Sequence, residues 1–191
     1  MQLLSVNIGT VGPIRVMGRA YTSAIGKRPV SGAVSVGKLG LQGDEQANLS
    51  VHGGLRKAVY AYPMAHLAFW QAQRSARGIA PLSPELHAGF VGENLSIEGL
   101  LEDQVWLGDQ LVVGGCVLRV TEPREPCEKF NAIMGYAQAA KDMMVHSLTG
   151  FYLSVEQTGD LQAGQPIDLI PGPRHTSVAQ AVAYKRHKHL R

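Results

Sequence analysis

Twenty-two glycines and ten prolines are scattered along a chain of 191 residues rather than pooled in one tract. Glycine reaches positive φ without a steric penalty, and proline fixes φ while removing a backbone donor, so each of them punctuates a helix or a strand. A chain interrupted this often is held to short elements joined by tight turns. Short helices are marginal alone, whereas short strands gain stability by pairing sideways, so the pattern points to a mainly β fold with some α. At this length, with 45% apolar and 17% charged residues, the chain suits one core rather than two.

The segments between the breaks agree. "QLLSVNIG" and "IRVMG" read as opening strands around Gly12 and Pro13, and "PVSGAVSVGKLGLQGD" alternates through Val34 and Val36 before its glycine turns. "KAVYAY" is a further strand with Tyr60 and Tyr62 on one face. "FVGENLSIEGL", "VWLGDQLVV" and "CVLRVTEP" add three, and "FYLSVEQTGDLQAGQPIDLI" reads strand, turn, strand. Met64, Leu67 and Trp70 stand at helical spacing after Pro63 and before Gly78, and residues 131–148 form a second internal helix. Strands without regular helix alternation favour a closed or half-closed barrel, which also hides sheet edges. The expected organisation is one β-barrel domain over 1–173, followed by a basic helix or tail over 174–191.

Charge is concentrated in that tail. Five of the 18 lysines and arginines lie from Arg174 onward, after the last acid, Asp168, so the body is slightly acidic. Val178, Ala181, Val182 and Lys185 share a helical face, and cations at a helix C-terminus suit its dipole. A solvated helix end therefore outweighs a nucleic-acid site. The opening residues lack the basic lead and apolar stretch of a signal peptide, and nowhere do eighteen apolar residues run together. The expectation is a cytoplasmic protein that does not enter a membrane, with both cysteines as thiols.

Mainstream motifs fail. "GAVSVGKL" at 32–39 nearly spells a phosphate-binding loop, but Leu39 stands where a hydroxyl is required. No dinucleotide fingerprint, nucleophile elbow, metalloprotease helix or zinc-spaced cysteine pair occurs. Cys116 alternates with Leu118 and Val120 and reads as a buried hydrophobe. Cys127 differs. It follows "PREP", whose two prolines stiffen the loop and fix the direction of the thiol. Arg124 and Lys129 lie close in sequence and, where they face the sulfur, favour thiolate, while Glu125 and Glu128 oppose it. An oriented thiolate is a nucleophile, a sulfur carrier or a soft-metal ligand, and a role-free loop cysteine is the bland alternative. Separately, Asp44, His52, Gly53, Gly54, Arg56 and Lys57 cluster around turns, where paired glycines let backbone N–H groups approach an anion and His52 and Lys57 add donors. A hairpin turn with an incidental histidine explains that cluster equally well.

Four blocks in order, "GLQGDEQANLSVHGGLRKAVYAYP", "FVGENLS", "PREPCEKFN" and "TGFYLSVEQTGDLQAGQPIDL", resemble the molybdenum cofactor sulfurase C-terminal (MOSC) domain, and within it the hydroxylaminopurine-resistance branch. The likeness spans roughly residues 20–171. It implies a MOSC-type β-barrel with two internal helices and a short C-terminal helix. It also implies binding of the molybdenum cofactor (Mo-molybdopterin), and reduction of small N-hydroxylated substrates such as hydroxylamino base analogues without pyridoxal phosphate. By that likeness Cys127 is the metal ligand, and Lys27, His52 and Arg124 hold the cofactor's anionic end; on this reading Lys57 adds positive charge, Gly53 and Gly54 admit the phosphate to the backbone, and Asn94 joins the cofactor-binding set. His52, ordinarily titrating near neutrality, doubles as candidate proton donor. Lys57 stands where some members carry arginine, which keeps charge but loses bidentate geometry. Members often continue into a larger helical C-terminal region, which bears on any homodimer. Lacking flavin, haem or iron–sulfur signatures, the chain calls for a separate electron-donor reductase. The alternative is a sulfur carrier or cofactor-binding module that forms a Cys127 persulfide without turnover.

Overall fold

The structure, a computed structural model, describes residues 1–16, 19–47, 53–79 and 86–189, with 14–16, 19 and 187–189 described by backbone alone. In chain order the strands are β1 (Gln2–Ile8), β2 (Gly12–Val16), β3 (Arg19–Ser23), β4 (Arg28–Pro29), β5 (Val34–Gly37), β6 (Gly40–Leu41) and β7 (Val59–Pro63). They continue with β8 (Leu95–Glu98), β9 (Gln110–Val113), β10 (Cys116–Pro123), β11 (Phe151–Gln157), β12 (Gly159–Leu161) and β13 (Ile167–Ile170). The helices are α1 (Leu67–Ala76), α2 (Glu128–Met134), α3 (Ala139–Val145) and α4 (Val178–His189).

Eight strands form one sheet in the order β13-β9-β10-β11-β7-β8-β1-β4. The sheet curls until β1 meets the residues leading into β13. There the Leu3 N–H donates to Gln165 O (3.0 Å), Gly164 N–H to Leu3 O (2.7 Å) and Ile167 N–H to Met1 O (3.0 Å). These bonds satisfy backbone groups that an open edge would expose, as the barrel expectation requires. β12, β5 and β6 make a small second sheet, and β2 pairs with β3 as a hairpin.

Strand β7 is buried at every residue. Because successive side chains point to opposite faces, it serves two cores at once. Val59 and Ala61 join Leu3, Leu95, Leu111, Leu118 and Leu153 inside the curled sheet. Tyr60 and Tyr62 face the other way and pack with Trp70 of α1, Phe130 and Met134 of α2, and Met143 of α3. The same alternation divides β11, sending Phe151 and Leu153 inward and Tyr152 to the aromatic side. Cys116 is fully buried in the inner core, as its alternation predicts.

Two differences from the sequence reading have physical causes. The helix expected over 131–148 is two helices, because Gly135 turns left-handed at φ +82 and caps α2 with its N–H on Asn131 O and Ala132 O. Asn131 then reaches across the break, its Oδ1 accepting from the Ala140 N–H at 2.7 Å. The helix also begins earlier, at Glu128, directly after Cys127. The C-terminal helix is part of the fold: Val178 and Val182 are fully buried, and α4 packs on β10 and α3. The change at residue 173 is therefore one of charge rather than packing. Among the described residues no helix is long and apolar enough to cross a membrane.

The join between β7 and β11 leaves no room for a side chain at Gly150, where an added Cβ would lie 2.4 Å from Ala61 O at φ +60. Gly164 also has positive φ, +91, but open space around it. Urea denaturation should therefore separate them: Gly150→Ala loses at least about 3 kcal/mol, and Gly164→Ala only the backbone strain of about 1 to 2 kcal/mol. Equal losses would mean that the close approach is absorbed without consequence.

Candidate functional site

The carboxylate of Asp44 is nearly inaccessible, its side chain 3% exposed. A buried carboxylate needs donors, and three segments supply them. Its Oδ1 accepts from the Gly9 N–H at 2.9 Å and from the Lys27 ammonium, while its Oδ2 accepts from Asn94 Nδ2 at 2.8 Å. Asn94 is fully engaged, since its Nδ2 also approaches Asn7 O (3.3 Å) and its Oδ1 accepts from the Tyr60 N–H (3.1 Å). Burial holds Lys27 below the ordinary lysine value even though Asp44 and Glu93 act the other way.

Opposite this network stands the "PREPC" loop. β10 ends at Pro123, and Cys127 occupies the N-cap of α2 in extended conformation, with no capping hydrogen bond from its thiol. The cysteine is half-buried. Arg124 turns inward and is 4% exposed. Its guanidinium lies 5.3 Å from the Tyr60 ring centroid and 5.6 Å from that of Phe130, and its Nη1 is 3.9 Å from Met143 Sδ. Burial opposes its charge, but Tyr60, Tyr152 and Cys127 favour it, leaving Arg124 above the ordinary arginine value. Among the described residues no carboxylate pairs with Arg124. A buried guanidinium set among aromatic, phenolic, thiol and thioether groups keeps its charge, and its geometry suits pairing with an anion.

Both features line one solvent-open cavity of about 90 Å³, together with Lys57, Tyr60, Lys129 and Tyr152. Of the residues expected from sequence, Lys27, Lys57, Asn94, Arg124 and Cys127 thus meet around the same space. Their surroundings differ. Lys27 is already matched by Asp44, and Asn94 orients backbone and carboxylate. Lys57 Nζ sits 3.8 Å from Glu122 Oε2 and 5.5 Å from the centroid of the Tyr152 ring. Gly53 and Gly54 are not in the lining; Gly54, at φ 82, precedes the 3-10 turn Leu55–Lys57 and takes a bond from the Lys57 N–H. His52 lies outside the described residues. Sequence reasoning missed Tyr60 and Tyr152 as lining residues; it named Lys129 only as a charge near Cys127 and Asp44 only as a member of the turn cluster, without its buried network. Tyr152 lay within a quoted block, and β11 alternation could have put it on the outer face with Tyr60.

Fold and site together define a class: a small, curled-sheet protein presenting one thiol and one uncompensated buried cation to a shared cavity. Residues 48–168 match the MOSC domain, and the chain belongs to that family, one associated with the molybdenum cofactor. The uncharacterized protein YflK of Bacillus subtilis (strain 168) is 35% identical, covering 98% of this chain and 83% of its own. Protein YiiM of Escherichia coli (strain K12) is 34% identical over 92% of this chain and 76% of its own. A Gibberella moniliformis protein named reductase is 34% identical over 90% of this chain, which spans 29% of that longer protein. The crystal structure of YiiM from Geobacillus stearothermophilus aligns at TM-score 0.77 with 31% identity, covering 98% of this chain and 84% of that one.

The residues present fit a molybdenum-pterin group. Among the described residues no three histidine, cysteine or carboxylate side chains converge into a metal cage. A metal held here would take sulfur from Cys127 and its other ligands from the cofactor, whose anionic end matches the unpaired Arg124.

Between Gly92 and Asn94, Glu93 is completely buried. Its Oε1 accepts from the Gly89 N–H (2.6 Å) and Ser96 Oγ (2.8 Å), whereas its Oε2 has no partner among the described residues. Burial raises its pKa from 4.5. The folded state therefore binds this proton more tightly than the unfolded one. The stability it confers is complete below pH 4.5 and is lost as pH rises through the folded value. Glu93→Gln should be more stable than wild type at pH 8 and gain little near pH 4, as read by urea denaturation at both. A constant difference between the two proteins would show that Glu93 does not titrate in this window.

Proposed function

We propose that this chain binds the molybdenum cofactor and reduces small N-hydroxylated compounds, hydroxylamino base analogues among them. The observation that carries this reading is the meeting of Cys127 with the uncompensated Arg124 in one cavity. The reductase name of the matched fungal protein supports the reaction class.

When bound, the cofactor supplies a two-electron couple suited to removing oxygen from an N–OH group. Two electrons and two protons convert a hydroxylamine to an amine and water. Cys127 holds the metal through its sulfur, aimed by the Pro123 and Pro126 loop. Arg124 and Lys57 hold the anionic end. Lys27, Asp44 and Asn94 fix the opposite wall. His52 is the proposed proton donor to the departing oxygen. Tyr60 and Tyr152 remain neutral, because burial raises both phenols above the ordinary tyrosine value even beside Arg124. Electrons arrive from a separate reductase.

Metal and pterin analysis of protein made in a cofactor-competent host tests this directly. Wild type should carry about one molybdenum per chain, as one thiolate site implies, and Cys127→Ser should lose most of it. Equal metal in both proteins would remove Cys127 as ligand. A labile extra sulfur on Cys127 without molybdenum would favour the carrier reading.

A further inference from the structure

The cavity's cations are not equally available, and the difference leads to the basic C-terminal helix. Lys27 is matched by the buried Asp44. Arg124 has no carboxylate among the described residues. Lys57 stands between: it lines the cavity, and its Nζ faces Glu122 Oε2 at 3.8 Å. Glu122 has two further claimants, Arg56 Nε at 3.8 Å from Oε1 and Lys185 Nζ at 3.7 Å from Oε2. Lys185 belongs to α4, and the same ammonium also hydrogen-bonds Glu125. Glu122, at the end of β10, and Glu125, in the loop before Cys127, flank Arg124 in sequence, so one lysine of the terminal helix holds an acid on each side of it.

We propose that Lys185 is a positioning residue for the cavity: by occupying Glu122 it reduces that carboxylate's hold on Lys57 and leaves the Lys57 charge directed at a bound anion. Lys57 and Lys185 approach the same oxygen, Oε2. A carboxylate shared by several cations attracts each less strongly than when it has one. Without Lys185, Glu122 turns its field on Lys57 and Arg56, and Lys57 is drawn off the cavity. The terminal helix, anchored by Val178 and Val182, thereby sets the positive charge that the cavity presents. This rests on the reading of the cavity as an anion site.

Calorimetric titration of inorganic pyrophosphate into the full chain at low ionic strength tests it, with no need for loaded enzyme. Lys185 and Glu122 are about a quarter exposed (25% and 22%), so their substitution leaves the core intact. Lys185→Ala should weaken binding about two- to fivefold, the range of a partly exposed ion pair, and Lys185→Arg should restore it. Glu122→Gln should tighten binding, and adding Lys185→Ala to it should then change little. A Lys185→Ala protein that binds as wild type does overturns the proposal. So does equal weakening in both backgrounds, which marks Lys185 as a mere brace or distant charge. Wild type that binds no pyrophosphate removes the anion-site reading itself, and this proposal with it.

Discussion

The buried carboxylate of Asp44 is the constraint from which the site is built. Taken from water without partners, such a group would destabilise the fold by several kcal/mol. Its donors come from the end of β1, from the loop at Lys27 and from the start of β8. Satisfying one side chain therefore fixes three segments distant in sequence, and Asn94 extends the lock to β7 through the Tyr60 backbone. It also determines where the cavity is positive. With Lys27 matched, the attraction for an anion concentrates on the Arg124 side, next to the thiol.

The aromatic core explains how Arg124 can be buried there. β7 and β11 turn Tyr60 and Tyr152 outward, against α2 and α3, and the guanidinium lies among those rings. Aromatic faces and a thioether stabilise a cation without neutralising it. Asp44 and Arg124 thus illustrate opposite outcomes of burying charge in one small protein. The carboxylate is saturated with donors and serves structure. The guanidinium is held among aromatic and sulfur groups with no carboxylate beside it among the described residues, and keeps its net charge.

Much of this was legible in sequence where the signal is local. Alternation separated Cys116, buried beside Leu118 and Val120, from Cys127 after its prolines, and the KAVYAY stretch gave the strand that carries both cores. Spacing likewise picked out Val178 and Val182 as the anchored face of the last helix. What escaped depends on contacts between distant residues. Nothing near Lys27 announces Asp44, seventeen residues on, and nothing near Lys57 announces Glu122. The break at Gly135 was hidden because alanine- and methionine-rich flanks favour helix on both sides, so composition outvoted a single left-handed residue. Alternation along β11 is enough to put Tyr152 on the outer face, but bringing that face beside Tyr60 and the cavity required knowing that β11 pairs with β7, a fact of topology.

The identity of residue 127 itself carries information. It occupies the N-cap of α2, where serine, threonine, aspartate or asparagine would accept from an exposed helix N–H and stabilise the protein by about 1 kcal/mol. A thiol is a weak acceptor, and here it makes no such bond. The fold thus forgoes a cap that one oxygen atom would provide. Stiffness from Pro123 and Pro126 orients the side chain instead, so the sulfur is aimed without being engaged by the protein's own backbone. Packing does not account for it either, since Cys127 is half-buried while Cys116 lies wholly within the core. An orientation fixed by covalent constraint, with lone pairs left unengaged beside an uncompensated cation, is what a metal ligand or sulfur acceptor needs and what a structural cysteine does not.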